Sequence, residues 1–179
     1  MEYGVVGLSH RTAEVAIREK LALGGDRLAL ALARLKTSPD IPEAVVLSTC
    51  NRVEFYTVAS TPSSSMQSIW SIVEEVCSLD SGSYARFRPH LYDLRGDEAL
   101  RHLFRVAASL DSMVVGEPQI LGQLKEAYRA AAEAATVGRY LGRGMERAFS
   151  AAKRVRTETE IGSSNVSVAS VAAQLAGRI

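Results

Sequence analysis

Cysteine is scarce in this chain, and its scarcity sets the first limit. Among 179 residues there are two, Cys50 and Cys77, with no Cys-x-x-Cys and no paired histidines at metal-ligand spacing. A disulfide framework is excluded by that count, and a structural metal has no visible ligand set. Long apolar runs are missing too: no stretch approaches the roughly 20 residues that span a membrane. The amino end, Met1-Glu2-Tyr3-Gly4, lacks a basic region followed by an apolar run, so no secretory signal is expected. Nor is there an excess of one charge. With 21 Lys and Arg against 20 Asp and Glu, the net charge is +1, and any RNA contact must come from a local patch. These absences lead to a cytoplasmic protein with reduced thiols, no metal and no membrane contact.

What is present is a globular composition, 47% hydrophobic and 23% charged, in a chain long enough for a real core. Tyr3–Leu8 is a β-rich run, followed by helical spacing through Ala16, Ile17 and Leu21 and again through Leu28, Leu32 and Leu35. Gly24-Gly25 divides those two helices. Residues 43–48 and 53–58 read as strands, leaving Thr49 to Arg52 as their connection. Met66, Ile69, Trp70, Val73, Val76 and Cys77 form one helical stripe, and Leu91–Leu94 is strand-like. The order β-α-β-β-α-β is the ferredoxin-like arrangement, an antiparallel sheet with the first and third strands central.

After Gly96 the spacing is helical throughout. Asp97 is placed to cap a helix with Leu100, Leu103, Phe104 and Ala107 on its core face and Ala99, His102, Val106 and Ser109 on a second face, so that two of its sides are expected to be buried. Pro118 suits the first turn of the next helix, and a third runs from about Val137. A further small-residue helix is expected over Val166–Ala176. The expected class is therefore α+β: a ferredoxin-like subdomain over 1–95, a helical subdomain over 96–160, and a helical linker over 161–179.

The chemistry centres on Cys50, which follows the apolar run Ala44–Leu47 and precedes Arg52 by two residues. A free thiol titrates near about 8.5, and a neighbouring cation favours the nucleophilic thiolate. Arg52 is also the residue type that grips a carboxylate in two places at once. Cys77, on an apolar stripe without basic neighbours, reads as core.

Four blocks carry a family resemblance: Gly7-Leu8-Ser9-His10-Arg11-Thr12-Ala13, Ser48-Thr49-Cys50-Asn51-Arg52-Val53-Glu54, the run from Leu110 to Lys125, and Lys153-Arg154-Val155-Arg156-Thr157-Glu158-Thr159. In this order they resemble glutamyl-tRNA reductase, of the five-carbon route to tetrapyrroles. The resemblance implies that Cys50 attacks the ester linking glutamate to tRNA, and that NADPH reduces the resulting thioester to glutamate-1-semialdehyde. It implies substrate contacts for Thr49, Arg52, Ser112, Glu117 and Gln119, although helix capping also accounts for Ser112 and Glu117. His10 either touches substrate or braces its loop. His102 either moves a proton or orients and packs. The chain departs from the family at Ala108-Ser109-Leu110, where small residues ending in glycine usually precede Leu-Asp-Ser; a stiffer loop is expected.

Arg139, Arg143, Arg147 and Arg154, flanked by Lys153 and Arg156, offer a stripe for tRNA phosphates, or an ordinary solvated face. Gly142-Arg143-Gly144 follows no strand and is not a dinucleotide site. Full-length family members continue into an NADPH domain and a dimerisation domain. The 179 residues show neither, so the expectation is a catalytic domain that forms the thioester, or slowly hydrolyses it, as a monomer. The resemblance also implies partnership with glutamate-1-semialdehyde aminotransferase. The alternative is a non-catalytic ferredoxin-like module that binds tRNA or a partner.

Overall fold

The computed structural model describes residues 1–60 and 62–162; the helix expected over Val166–Ala176 lies outside them. Four strands form the sheet: β1 (Glu2–Ser9), β2 (Glu43–Ser48), β3 (Arg52–Ala59) and β4 (Tyr92–Arg95). Their order is β2-β3-β1-β4 with every neighbouring pair antiparallel, so β1 and β3 are central as the ferredoxin-like reading requires. Between β1 and β2 run α1 (Val15–Leu21) and α2 (Asp26–Thr37), divided at Gly24-Gly25. Between β3 and β4 run α3 (Pro62–Val76), α4 (Ser83–Phe87) and a 3₁₀ turn, Arg88–His90. Then follow α5 (Asp97–Ala107), α6 (Gln119–Glu133), α7 (Arg139–Glu158) and a 3₁₀ turn over Glu160–Gly162.

The sheet is covered on both faces, which is why all eight residues of β3 are buried. Side chains alternate across a strand. Val6, Leu8, Val53 and Phe55 meet Leu21 of α1 and Ile69, Trp70 and Val73 of α3. On the other face, Glu54 meets His102 of α5 and Tyr3 lies against Gly144 of α7. One continuous apolar cluster reaches from Val45 and Phe55 through Leu103 and Leu124 to Met145.

Three local expectations differ from the structure. Arg52 begins β3 and does not belong to the connection, because Thr49 N–H donates to its carbonyl at 2.8 Å and closes the turn there. The cap of α5 is Gly96, at φ 55°, a conformation that glycine adopts without a Cβ clash; Asp97 enters the first turn instead. On α5, Ala99, Leu103, Val106 and Ala107 are the buried residues, while Leu100 and Phe104 are half-buried. The helix packs on β1 and β4 as well as on α7, and this rotates its buried face.

Glu43 supplies a long-range brace. Its carboxylate accepts the N–H groups of Tyr140 at 3.1 Å and Leu141 at 2.6 Å, satisfying the open amino end of α7 from β2.

Candidate active site

Cys50 is exposed in the three-residue turn between β2 and β3. The turn is tightly held. Thr49 Oγ1 accepts the N–H groups of Asn51 at 3.1 Å and Arg52 at 3.2 Å, so this hydroxyl builds the turn that presents the thiol. His10 N–H donates to the Asn51 carbonyl at 2.8 Å and joins the β1–α1 loop to it. From α1, Arg18 Nε donates to the Cys50 carbonyl at 3.0 Å, and Nη1 to the Ala13 carbonyl at 2.6 Å. Arg18 is 7% exposed and forms no ion pair among the described residues.

Arg52 points into the opposite face of the sheet. It is 1% exposed, and Nη1 donates to Glu54 Oε1 at 2.8 Å. Nη2 donates to the backbone carbonyl of Asp111 and lies 3.3 Å from its Oδ1. Glu54, fully buried, is the hub. Besides Arg52 it accepts His102 Nε2 at 2.7 Å and the hydroxyls of Tyr56 and Tyr92. Burial alone would raise the Glu54 carboxyl; the His102 hydrogen bond, the Arg52 charge and Tyr56 outweigh it and hold the pKa at about 2. An ionised carboxylate only accepts, so His102 Nε2 must carry the hydrogen of that bond. Nδ1 is thereby the ring atom left for any proton transfer.

Asp111 draws the loop after α5 to the sheet. Its carboxylate lies 3.6 Å from Arg11 Nε and 3.8 Å from Arg105 Nη2, in addition to Arg52. Ser112, next in sequence, is half-buried, Glu117 is buried and Gln119 is exposed at the start of α6. Within this loop, Ser109 Oγ donates to the Glu117 carbonyl at 2.7 Å. The fold thus gathers Thr49, Cys50, Arg52, His10 and His102 with the segment that begins at Asp111. Sequence reasoning missed Glu54, Tyr92, Asp111 and Arg18. The visible signal for the first is Arg52/Glu54/Tyr56 alternating with Val53/Phe55 on a strand that is buried.

Of the other candidates, Cys77 is buried as expected, and burial raises its thiol. His90 Nδ1 donates to the Thr12 carbonyl at 2.9 Å, a hydrogen-bonded structural role. Burial and the charge of Arg52 push His10 below the usual histidine range, and its Nδ1 is enclosed without a partner among the described residues. On α7, Arg139, Arg143 and Arg147 are exposed and form no ion pair among the described residues, whereas Arg154 is tied to Glu158 at 2.9 Å.

The described residues do not fit a nicotinamide dinucleotide. In the doubly wound α/β fold such a group sits beyond the strand ends of a parallel sheet, on a glycine-rich turn at a helix start. This sheet is antiparallel, and Gly144 lies within α7, where a Cβ would come 3.1 Å from the Tyr3 ring. Among the described residues there is also no group of three His, Cys, Asp or Glu able to hold a metal, and no helix long and apolar enough to cross a membrane.

Comparison with known proteins agrees with this architecture. The glutamyl-tRNA reductase of Geobacter metallireducens is 51% identical over 179 residues, covering 100% of this chain and 41% of the relative. That of Syntrophotalea carbinolica is 48% identical, covering 100% of this chain and 40% of the relative. The solved glutamyl-tRNA reductase from Methanopyrus kandleri matches with a TM-score of 0.74 at 34% identity, over 98% of this chain and 39% of that one. The chain therefore spans about two fifths of the length of these relatives. The family described as "Glutamyl-tRNAGlu reductase, N-terminal domain" matches residues 6–159, and this chain belongs to it.

Proposed function

We propose that this chain carries out the acyl-transfer step of a glutamyl-tRNA reductase. The Cys50 sulfur attacks the carbonyl carbon of the glutamyl ester. An S–C bond forms, the ester C–O bond breaks, and the tRNA leaves as a free ribose hydroxyl that gains the proton the thiol gives up. A glutamyl thioester remains on the enzyme. The observation that carries this reading is an exposed cysteine in a turn fixed by Thr49, His10 and Arg18, with the buried Arg52–Glu54–His102 group on the adjoining strand.

In this reading Arg52 takes the side-chain carboxylate of glutamate. Because the guanidinium is enclosed, substrate reaches it by displacing the Asp111 carboxylate, held at 3.3 Å, while Glu54 keeps the other nitrogen at 2.8 Å. Ser112 and Gln119 offer hydrogen bonds to the α-amino or carboxylate group, and Glu117 offers a counter-charge to the α-ammonium. His102 Nδ1 is the atom through which that ring acts on the substrate. The exposed arginines of α7 take tRNA phosphates. The described residues contribute the thioester and its slow hydrolysis, and no reduction.

The test mixes the chain with glutamyl-tRNA carrying labelled glutamate. Acid-stable, thiol-labile label is expected on the native chain and not on Cys50→Ser. Absence of label from the native chain overturns the reading, and label on the variant moves the nucleophile elsewhere.

A further inference from the structure

His102 reaches the sheet from α5 through one atom, Nε2, which lies 2.7 Å from Glu54 Oε1. Ala99 and Val106, one turn before and one turn after it, are buried and fix the helix rather than the ring. A single hydrogen bond sets where Nε2 sits but leaves the imidazole plane, and with it Nδ1, free to turn about that bond. Tyr92 of β4 supplies the missing constraint. Its hydroxyl donates to the same Oε1, and its ring lies against the imidazole with centroids 5.5 Å apart and planes at 59°. Such tilted contacts are the ones that aromatic rings favour. The three side chains close a triangle: two donors meet on one oxygen, and their rings touch behind it.

We infer that Tyr92 is a positioning residue for His102, holding the imidazole plane so that Nδ1 keeps one direction. The assignment rests on the acyl-transfer reading for its kinetic consequence, since that reading gives Nδ1 its work on the substrate. Tyr92 itself touches no reacting atom; its hydroxyl is occupied by Glu54. The reach is specific to a long side chain. Neighbouring strands lie about 4.8 Å apart, and β4 is two spacings from β3 with β1 between them. Gly7 pairs with both Tyr92 and Glu54 and puts no side chain in the way. A serine or threonine hydroxyl at position 92 would fall short of Oε1. Burial and the Glu54 charge push the Tyr92 hydroxyl well above its ordinary range, so it keeps its proton and donates at neutral pH. Arg52 Nη1 also holds Oε1, at 2.8 Å, so the carboxylate stays anchored when the Tyr92 hydroxyl is removed.

Tyr92→Phe keeps the ring and loses the hydroxyl, whereas Tyr92→Leu loses both; thermal melts confirm that each variant is folded. With glutamyl-tRNA carrying labelled glutamate, the saturating rate of Cys50 labelling is expected to fall several-fold in the first. In the second it is expected to fall about a hundredfold, the scale of a misplacement of roughly 1 Å. The half-saturating concentration should stay as in the native chain, because Arg52 keeps its partners. His102→Gln keeps a donor for Glu54 but has no ring nitrogen to take a proton. In that background neither Tyr92 substitution should lower the rate further. A loss that persists there overturns the assignment, because the tyrosine then acts on something other than His102. Labelling at the native saturating rate by folded Tyr92→Leu overturns it as well. Carbon-13 relaxation of the labelled His102 ring needs no activity, and should report a rigid ring in the native chain and a mobile one in Tyr92→Leu. If the ring stays rigid in that variant while the native chain is labelled, only the positioning role is lost. If the ring loosens but the native chain takes no label, Tyr92 keeps its hold on His102 and the acyl-transfer reading falls.

Discussion

Gly7 on β1 is paired with Glu54 on β3, and the glycine leaves the space that the carboxylate needs. A Cβ at Gly7 would strike the Val53 carbonyl oxygen and come 2.9 Å from both Cα and Cγ of Glu54. Gly7 is also paired with Tyr92 on its other side, so the Tyr92 hydroxyl crosses above the glycine to reach Glu54. The polar centre is thus built on one rung of three strands, with the middle residue reduced to backbone.

Gly7→Ala is therefore expected to destabilise the fold by about 3 kcal/mol, the upper range for overpacking a tight interior. Denaturant unfolding measures this. The clash involves backbone atoms, so rotamer changes do not relieve it. Smaller loss than for a conservative core substitution such as Val45→Ala would mean that β1 and β3 shift apart easily.

Glu54 predicts an acid-labile fold. Its carboxyl titrates at about 2 when folded, against an ordinary value of 4.5. A depressed carboxyl contributes stability that is complete above the unfolded value and lost as pH falls through the folded one. Of order 3 kcal/mol should disappear between pH 4.5 and 2. Glu54→Gln removes that dependence and is less stable at neutral pH, because Arg52 loses its buried counter-charge. Urea midpoints measured across this pH range give both slopes. Parallel curves for the native chain and the variant would show that another carboxylate governs acid unfolding.

The strand and helix order is legible because its signals are local: β-rich runs, helical stripes and glycine breaks each lie within one element. The thiol and its turn are likewise local. The partners of the polar centre are not. Arg52, Glu54 and Tyr56 alternate visibly along β3, but Tyr92 lies 38 residues from Glu54 and His102 lies 48 away. Arg18 reaches the Cys50 carbonyl across 32 residues. A charged residue on a strand reads as solvated until a second layer covers it, and that layer, α5 and α7, comes later in the chain. Asp97 shows the converse failure. Its residue type suits a cap, but the glycine before it takes the position because the chain must turn there through positive φ.

Ser109 stands in the left-handed region at φ 61°, directly after the α5 cap residue. Such a conformation costs a residue with a Cβ roughly 1–2 kcal/mol. The Ser109 hydroxyl offsets part of this by donating to the Glu117 carbonyl across the loop. Ser109→Ala keeps the strained backbone and loses the bond, so a destabilisation of about 1–2 kcal/mol is expected. Ser109→Gly loses the bond and relieves the strain, and should fall within about 1 kcal/mol of the native chain. Thermal unfolding of the two variants should rank glycine above alanine. The reverse order would mean that the loop carries no strain at this residue.

Asp111 gives the sharpest test of the proposed capture of the glutamate carboxylate by Arg52. A buried arginine already holding two carboxylates has no spare anion site, so capture of a third must be an exchange. Glu54 has four donors and cannot leave without stranding His102 and two tyrosines. The Asp111 carboxylate is the looser ligand, at 3.3 Å, and it lies at the rim with Arg11 and Arg105 to receive it. Asp111→Asn keeps the shape and the backbone carbonyl that binds Nη2, but removes the competing charge. Under the exchange, labelling of Cys50 at limiting glutamyl-tRNA should rise several-fold, with the rate at saturation unchanged. If Asp111 instead serves to aim Arg52, the same variant lowers both. A rate at saturation that falls with affinity would therefore replace exchange with positioning as the role of this carboxylate.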